Sequence, residues 1–114
     1  MRVKVREVAD VAIVDLDGDL VLGDGDEILR ETTDELLSQG RRKILLNLEH
    51  VTRLDSAGVG EIAAGWRLAR RFDAALKLLR PGDRVRSTLH LSQLLPLIEV
   101  HEREKEAVAS FIAC

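Results

Sequence analysis

"KILLNLEHVTRLDSAGVG", residues 43–60, decides the fold. Its opening run, KILLNL over 43–48, has strand length and is apolar enough to be covered on both sides, as in the middle of a parallel sheet. Asp55 and Ser56 then stand where a helix begins, and either side chain can cap it by accepting from the first free N–H groups. A helix is predicted over 57–72, with Val59, Ile62, Ala63, Trp66 and Ala69 as its apolar stripe and Leu68 and Phe72 widening it. Gly58 and Gly60 fall in its first turns. Each glycine costs roughly 1 kcal/mol there against alanine. Bare backbone at both positions implies close packing against another element, or a surface that something else must approach.

Working outward, residues 2–8 alternate Val3, Val5 and Val8 with charge, the pattern of a half-buried strand. Residues 11–16, VAIVDL, form a second strand, and Ala9-Asp10 makes a tight hairpin link. Residues 17–26 read as a polar, glycine-punctuated loop. A helix is predicted over 25–39, with Ile28, Leu29, Thr32, Leu36 and Leu37 on one face and Gly40 as its terminating glycine. Beyond the central helix come a strand at 75–79, a break at Pro81-Gly82, a short helix over 83–92 and a last strand at 97–100. An amphipathic helix over 102–113 closes the chain, with Ala107, Val108, Phe111 and Ile112 expected to cover the sheet. The order β-β-α-β-α-β-α-β-α requires crossover connections and a largely parallel sheet. Without repeats or linkers, residues 1–114 are expected to form one domain.

Composition narrows the function. At 46% hydrophobic and 32% charged residues, the chain is globular rather than disordered. A net charge of −3 gives no general attraction to nucleic acid or anionic membrane. The basic clusters Arg41-Arg42-Lys43 and Arg67/Arg70/Arg71 read as local solvated faces. The single cysteine, Cys114, has no partner for an intramolecular disulfide, which points to a reducing compartment. No apolar run approaches the roughly 18 residues of a membrane span. The N-terminal residues alternate too much for a signal peptide. The expectation is a cytoplasmic, bacterial-style domain.

Catalytic and metal chemistries fit poorly. A nucleophile elbow needs Gly-x-Ser-x-Gly; Gly58 fits, but Leu54 stands where the first glycine belongs. His50, His90 and His101 have no evident acidic partner, so no catalytic residue is assigned and a small serine hydrolase is only a distant alternative. Asp15, Asp17 and Asp19 imitate a calcium loop, but Leu20 and Asp26 stand where its glycine and bidentate glutamate are required. The histidines and Cys114 lack metal-ligand spacing, and no Gly-Lys-Ser/Thr follows the glycines of 17–26. Neither metal nor cofactor is expected. Trp66 reads as core rather than a binding platform.

Ser56 itself has two readings. As a cap it is purely structural. As a modification site it would carry a phosphate at a helix N-terminus, where free N–H groups and partial positive charge accommodate an anion. The phosphate adds about −1.5 to −2 charge beside Asp55.

"LDSAGVG" following "KILLNLEHVTR" resembles the Asp-Ser-[Ser/Thr/Ala]-Gly-[Leu/Val]-Gly turn of the STAS domain, the anti-sigma factor antagonist family. "VDLDGDLVLGDGDEIL" is similar to the family's second strand and the loop into its first helix. "ALKLLRPGDRVRSTLHLSQLLPLIEVHE" is similar to its later strand-helix-strand segment. The resemblance covers nearly the whole chain. It implies an α/β fold of STAS type, a small mixed β-sheet with packed helices. It also implies that Ser56 is phosphorylated by a serine kinase that is itself an anti-sigma factor. The unphosphorylated antagonist binds that kinase and frees the sigma factor; the phosphorylated form lets go, and a PP2C-type phosphatase resets it. Asp55 matches the aspartate that helps place the serine. Gly58, Val59 and Gly60 match the docking surface, with Asp24 in the adjacent 23–26 loop. Other STAS proteins are further possible partners. Two departures stand out: Asn47 where the family often has aspartate, and the acidic "LGDGDE" loop. The alternative within the family is a constitutive scaffold subunit of a stress-signalling complex or transporter, with Ser56 only a cap.

Overall fold

In the computed structural model, which describes residues 1–112, the run Ile44–Leu48 lies at the centre and every residue in it is buried. Around it the chain forms β1 (Arg2–Val8), β2 (Val11–Leu20), α1 (Asp26–Ser38), β3 (Lys43–Leu54), α2 (Ser56–Arg71), β4 (Ala75–Leu79), α3 (Asp83–Leu91), β5 (Val100–His101) and α4 (Glu104–Ile112). The strands make one sheet in sequential order, β1 to β5. β1 pairs antiparallel with β2, and the remaining pairs are parallel. The mixed α/β sheet is therefore the one expected.

Alternation along β3 divides the core. Ile44, Leu46 and Leu48 join the larger cluster, with Leu29 and Leu36 of α1, Ile62 of α2 and Leu89 of α3. Leu45 faces the other way, into a smaller cluster with Val11, Ile13, Leu79 and Ala107, Val108 and Phe111 of α4. α4 thus covers the second face as expected. The side chain of Ile112 and Cys114 lie outside the described residues. Lys77 shares that face; its ammonium sits 4.5 Å from the Phe111 ring centroid, bonds Ser110 Oγ at 2.9 Å and pairs with Glu99 at 3.0 Å.

Local turn chemistry is as read from sequence. Ala9 and Asp10 both have positive φ, as a two-residue hairpin that follows strand twist requires. Gly40, at φ +82, ends α1: its N–H bonds Leu37 O and the Arg41 N–H bonds Leu36 O, a double closure of the last turn.

Three boundaries differ from expectation. β2 continues to Leu20 instead of stopping at 16, and β3 continues to Leu54 instead of 48. Their far halves pair with each other through register shifts between Asp15 and Asp17 and between Gly18 and Asp19, with Gly18 at φ +124. The glycine and aspartates read as loop are bulge and strand residues at an exposed sheet end. The last strand is Val100–His101 rather than 97–100. The Ile98 N–H bonds Leu94 O, so Leu94 and Ile98 turn together into the larger cluster and no strand forms there.

Beyond α4 on the smaller face, Arg6 links three elements. Its guanidinium bonds Asp15 of β2 at 2.7 and 3.2 Å and Glu104 of α4 at 3.0 and 2.5 Å. The bonds from Arg6 hold Glu104 below the usual carboxylate range. Burial pushes Asp15 up, but hydrogen bonds from Arg6 and Asn47 outweigh it and leave this carboxyl lowered too. Both folded values lie below the unfolded ones. The stabilisation is therefore complete only above the unfolded values, from roughly pH 5 upward, and is lost as pH falls through the folded values. These groups are about a third solvent-exposed, so screening limits the effect to about 1 kcal/mol. Thermal melts across the acid range should show wild type losing this increment, and Arg6→Met should lack that part of the acid dependence.

Candidate functional site

Only Asp55 separates β3 from α2. Its backbone is extended, at φ −109 and ψ −174, which turns the chain from strand into helix. One carboxylate oxygen accepts from the Gly58 N–H at 2.9 Å and the other from the Leu22 N–H at 3.0 Å. The first bond caps α2; the second fastens the loop after β2 to the same point. These backbone bonds, Gly58 first and Leu22 second, hold the Asp55 carboxyl below its ordinary range. The loop is tight: the N–H groups of Asp24, Gly25 and Asp26 all converge on Val21 O, and buried Asp26 accepts from the Gly23 N–H at 2.9 Å.

The cap is thus Asp55, and Ser56 is the first helical residue. Ser56 is exposed, and its hydroxyl makes no hydrogen bond among the described residues. The reading of Ser56 as a cap is corrected: a cap needs extended backbone, and that conformation belongs to Asp55. Asp55→Ala is accordingly expected to lower stability in urea denaturation. Ser56→Ala should stay within about 0.5 kcal/mol of wild type, as for a surface change that removes no contact.

The glycines divide. A Cβ on Gly58 would lie 2.1 Å from Leu20 O and 2.7 Å from Leu54 Cδ1. The first turn of α2 therefore packs directly on the end of β2, and Gly58 is buried. Val59 is buried in the larger cluster. Gly60 is exposed, with nothing within 4 Å of an added Cβ. Of the three positions expected to form a docking surface, only Gly60 lies on the surface; internal packing explains the other two. Asp24 is exposed and bonds the Met1 ammonium at 3.0 Å.

Two further residues flank the turn. Leu22 is 74% exposed, and Arg53 pairs with Asp19 at 3.2 Å. With Val21, Leu54 and Asp55 they line a hollow of about 380 Å³. Sequence reading missed both, since the only signal for Leu22 was its place at the end of the short apolar run Leu20-Val21-Leu22 between aspartates and glycines.

No histidine contacts Ser56 among the described residues. His50 and His101 do have acidic neighbours, contrary to expectation: Glu49 at 3.8 Å and Glu99 at 2.5 Å. Neither pair serves the serine. Asp15 and Asp19 are strand residues whose carboxylates are taken by Arg6 and Asn47, and by Thr52 and Arg53. Trp66 is partly buried against the larger cluster, with Arg70 at 5.0 Å from its ring.

A sequentially ordered mixed sheet, a capped helix start with a free serine, and a loop pinned to the cap define a small α/β domain of the anti-sigma factor antagonist fold. The sequence matches the family described as the STAS domain over residues 2–107, and the chain belongs to that family. Among solved structures it is similar to TM1081 of Thermotoga maritima, at 24% identity over 95% of this chain and 92% of that one, with a TM-score of 0.87. The unphosphorylated form of the anti-sigma factor antagonist SpoIIAA matches at 22% identity over 99% and 98% of the two chains, with a TM-score of 0.81. The phosphorylated form of Bacillus SpoIIAA matches at 24% identity over 96% and 99%, with a TM-score of 0.75. The murine anion transporter Slc26a9 matches at 18% identity over 96% of this chain but only 19% of its own, with a TM-score of 0.79. Among the described residues, no helix is long and apolar enough to cross a membrane.

Proposed function

We propose that this chain is a phospho-switchable anti-sigma factor antagonist, with residues 1–114 acting as one STAS domain. In this reading it binds a serine kinase that is also an anti-sigma factor, and releases it when Ser56 is phosphorylated. A PP2C-type phosphatase restores the binding form. The cytoplasm is where these partners would meet.

The observation that carries the reading is the division of labour at the turn. Asp55 satisfies the helix start, so the Ser56 hydroxyl is free, exposed and structurally dispensable. A phosphate can be added there without unfolding α2, and the helix N-terminus favours it. The same fold is known in a phosphorylated form in Bacillus SpoIIAA. Ser56, Gly60, Leu22 and Arg53 form the exposed surround that a partner would cover, with Asp24 on the pinned loop beside it.

Affinity capture from the host lysate tests this with three baits: wild type, Ser56→Ala and Ser56→Asp. The expected result is a serine kinase of the anti-sigma type held by the first two and lost from the third. Equal retention by all three would make the domain a constitutive scaffold instead.

A further inference from the structure

Away from the serine turn, α1 and α2 leave a groove of about 330 Å³ between their outer faces. Thr33, Ala64, Gly65 and Leu68 line it with small and apolar groups. Gly65 lets the elements approach: an added Cβ would lie 3.4 Å from both Thr33 Cγ2 and Leu76 Cδ1. The Arg30–Glu61 ion pair, at 2.5 Å, joins the two helices at the groove. Arg67 and Arg71, one helical turn apart, also line it, and both are exposed.

What sets this groove apart is the placing of its charge, with two exposed arginines of one helix face lining the same hollow. Arg6, Arg30, Arg41, Arg53, Arg80 and Arg86 all pair with carboxylates. Arg67 and Arg71 have no carboxylate partner among the described residues, a state they share with Arg2 and Arg84, but only Arg67 and Arg71 stand one turn apart on one groove. Nearby, Arg70 lies over Trp66 and Arg42 bonds the carbonyls of Phe72 and Asp73, so neither neutralises a carboxylate. The helix dipole favours cations in the last turn of α2, which accounts for Arg70 and Arg71. It does not account for Arg67 beside an open groove.

We infer that the α1–α2 groove docks an acidic polypeptide segment of a partner protein. Its carboxylates would meet Arg67 and Arg71, and an aliphatic side chain would lie on Ala64 and Leu68. Asp34 and Glu61 also line the groove, so an unbroken run of phosphates would meet like charge. The concave shape further disfavours a flat anionic bilayer. Arg67 lies about 16 Å along α2 from Ser56, so a segment bound here leaves the serine free. This site is independent of the phosphorylation reading.

The test is fluorescence anisotropy of a labelled peptide of alternating glutamate and leucine, titrated with the full chain at low salt. Arg67→Glu with Arg71→Glu should weaken binding at least about tenfold, and the paired glutamine variant should weaken it several-fold. Arg2→Glu with Arg84→Glu carries the same charge change elsewhere and should bind as wild type does. Ser56→Asp should also bind unchanged. Amide shifts on peptide addition should centre on residues 64–68. Equal loss in the Arg2/Arg84 variant would overturn the inference, leaving only a net-charge effect. So would tighter binding of phosphatidylserine vesicles or oligo-dT through the same two arginines, or no peptide binding at all.

Discussion

Gly58→Ala is expected to destabilise the domain by roughly 3 kcal/mol or more, while Gly60→Ala leaves it unchanged or gains up to about 1 kcal/mol. The two substitutions add the same methyl group two residues apart on one helix. At 58 that methyl would overlap the carbonyl oxygen of Leu20, at 2.1 Å, and stand 3.1 Å from its carbon. This neighbour is backbone of a buried strand and has no rotamer by which to yield. Either α2 must lift from β2 or the end of β2 must shift, and both movements strain the bond from the Leu22 N–H to Asp55. At 60 the space is open, and alanine supplies the better helix propensity. Urea denaturation of the two variants reads the contrast. Equal stabilities would mean that α2 does not pack on β2 as described.

Phosphate on Ser56 is expected to weaken binding of the kinase partner on the order of a hundredfold. Covering the turn would bury a charge of about −1.5 to −2 beside Asp55, where the neighbouring cation, Arg53, is already paired with Asp19. A penalty near 3 kcal/mol corresponds to that factor. Ser56→Asp, with one charge, should lose at least about tenfold. Neither change should unfold the protein, because Ser56 makes no bond to lose and negative charge suits the first turn of a helix. Thermal melts of Ser56→Asp alongside the titration separate a lost interface from a lost fold.

Much of the architecture was legible because its signals are local. Ala9-Asp10 announced the hairpin, Gly40 the end of α1, and the apolar run at 43–48 the centre of the sheet. What escaped depends on contacts between distant segments. Asp17, Gly18 and Asp19 look like loop until the far half of β3 is there to pair with them. Gly58 looks like part of an exposed turn until Leu20, from another strand, is laid against it. The choice of cap between Asp55 and Ser56 turned on one residue's backbone angles, which neighbouring side chains do not announce. Leu22 gained its position from a hydrogen bond to a residue far along the chain. The serine turn itself was readable, whereas the surface around it was not.

The most direct measurement is the equilibrium affinity of the captured kinase for this chain with and without phosphate on Ser56, the position of the phosphate being verified by mass spectrometry. The expected result is tight binding of the unmodified chain and a loss on the order of a hundredfold on modification. Equal affinities, or phosphate found only at another residue, would contradict Ser56 as the switch.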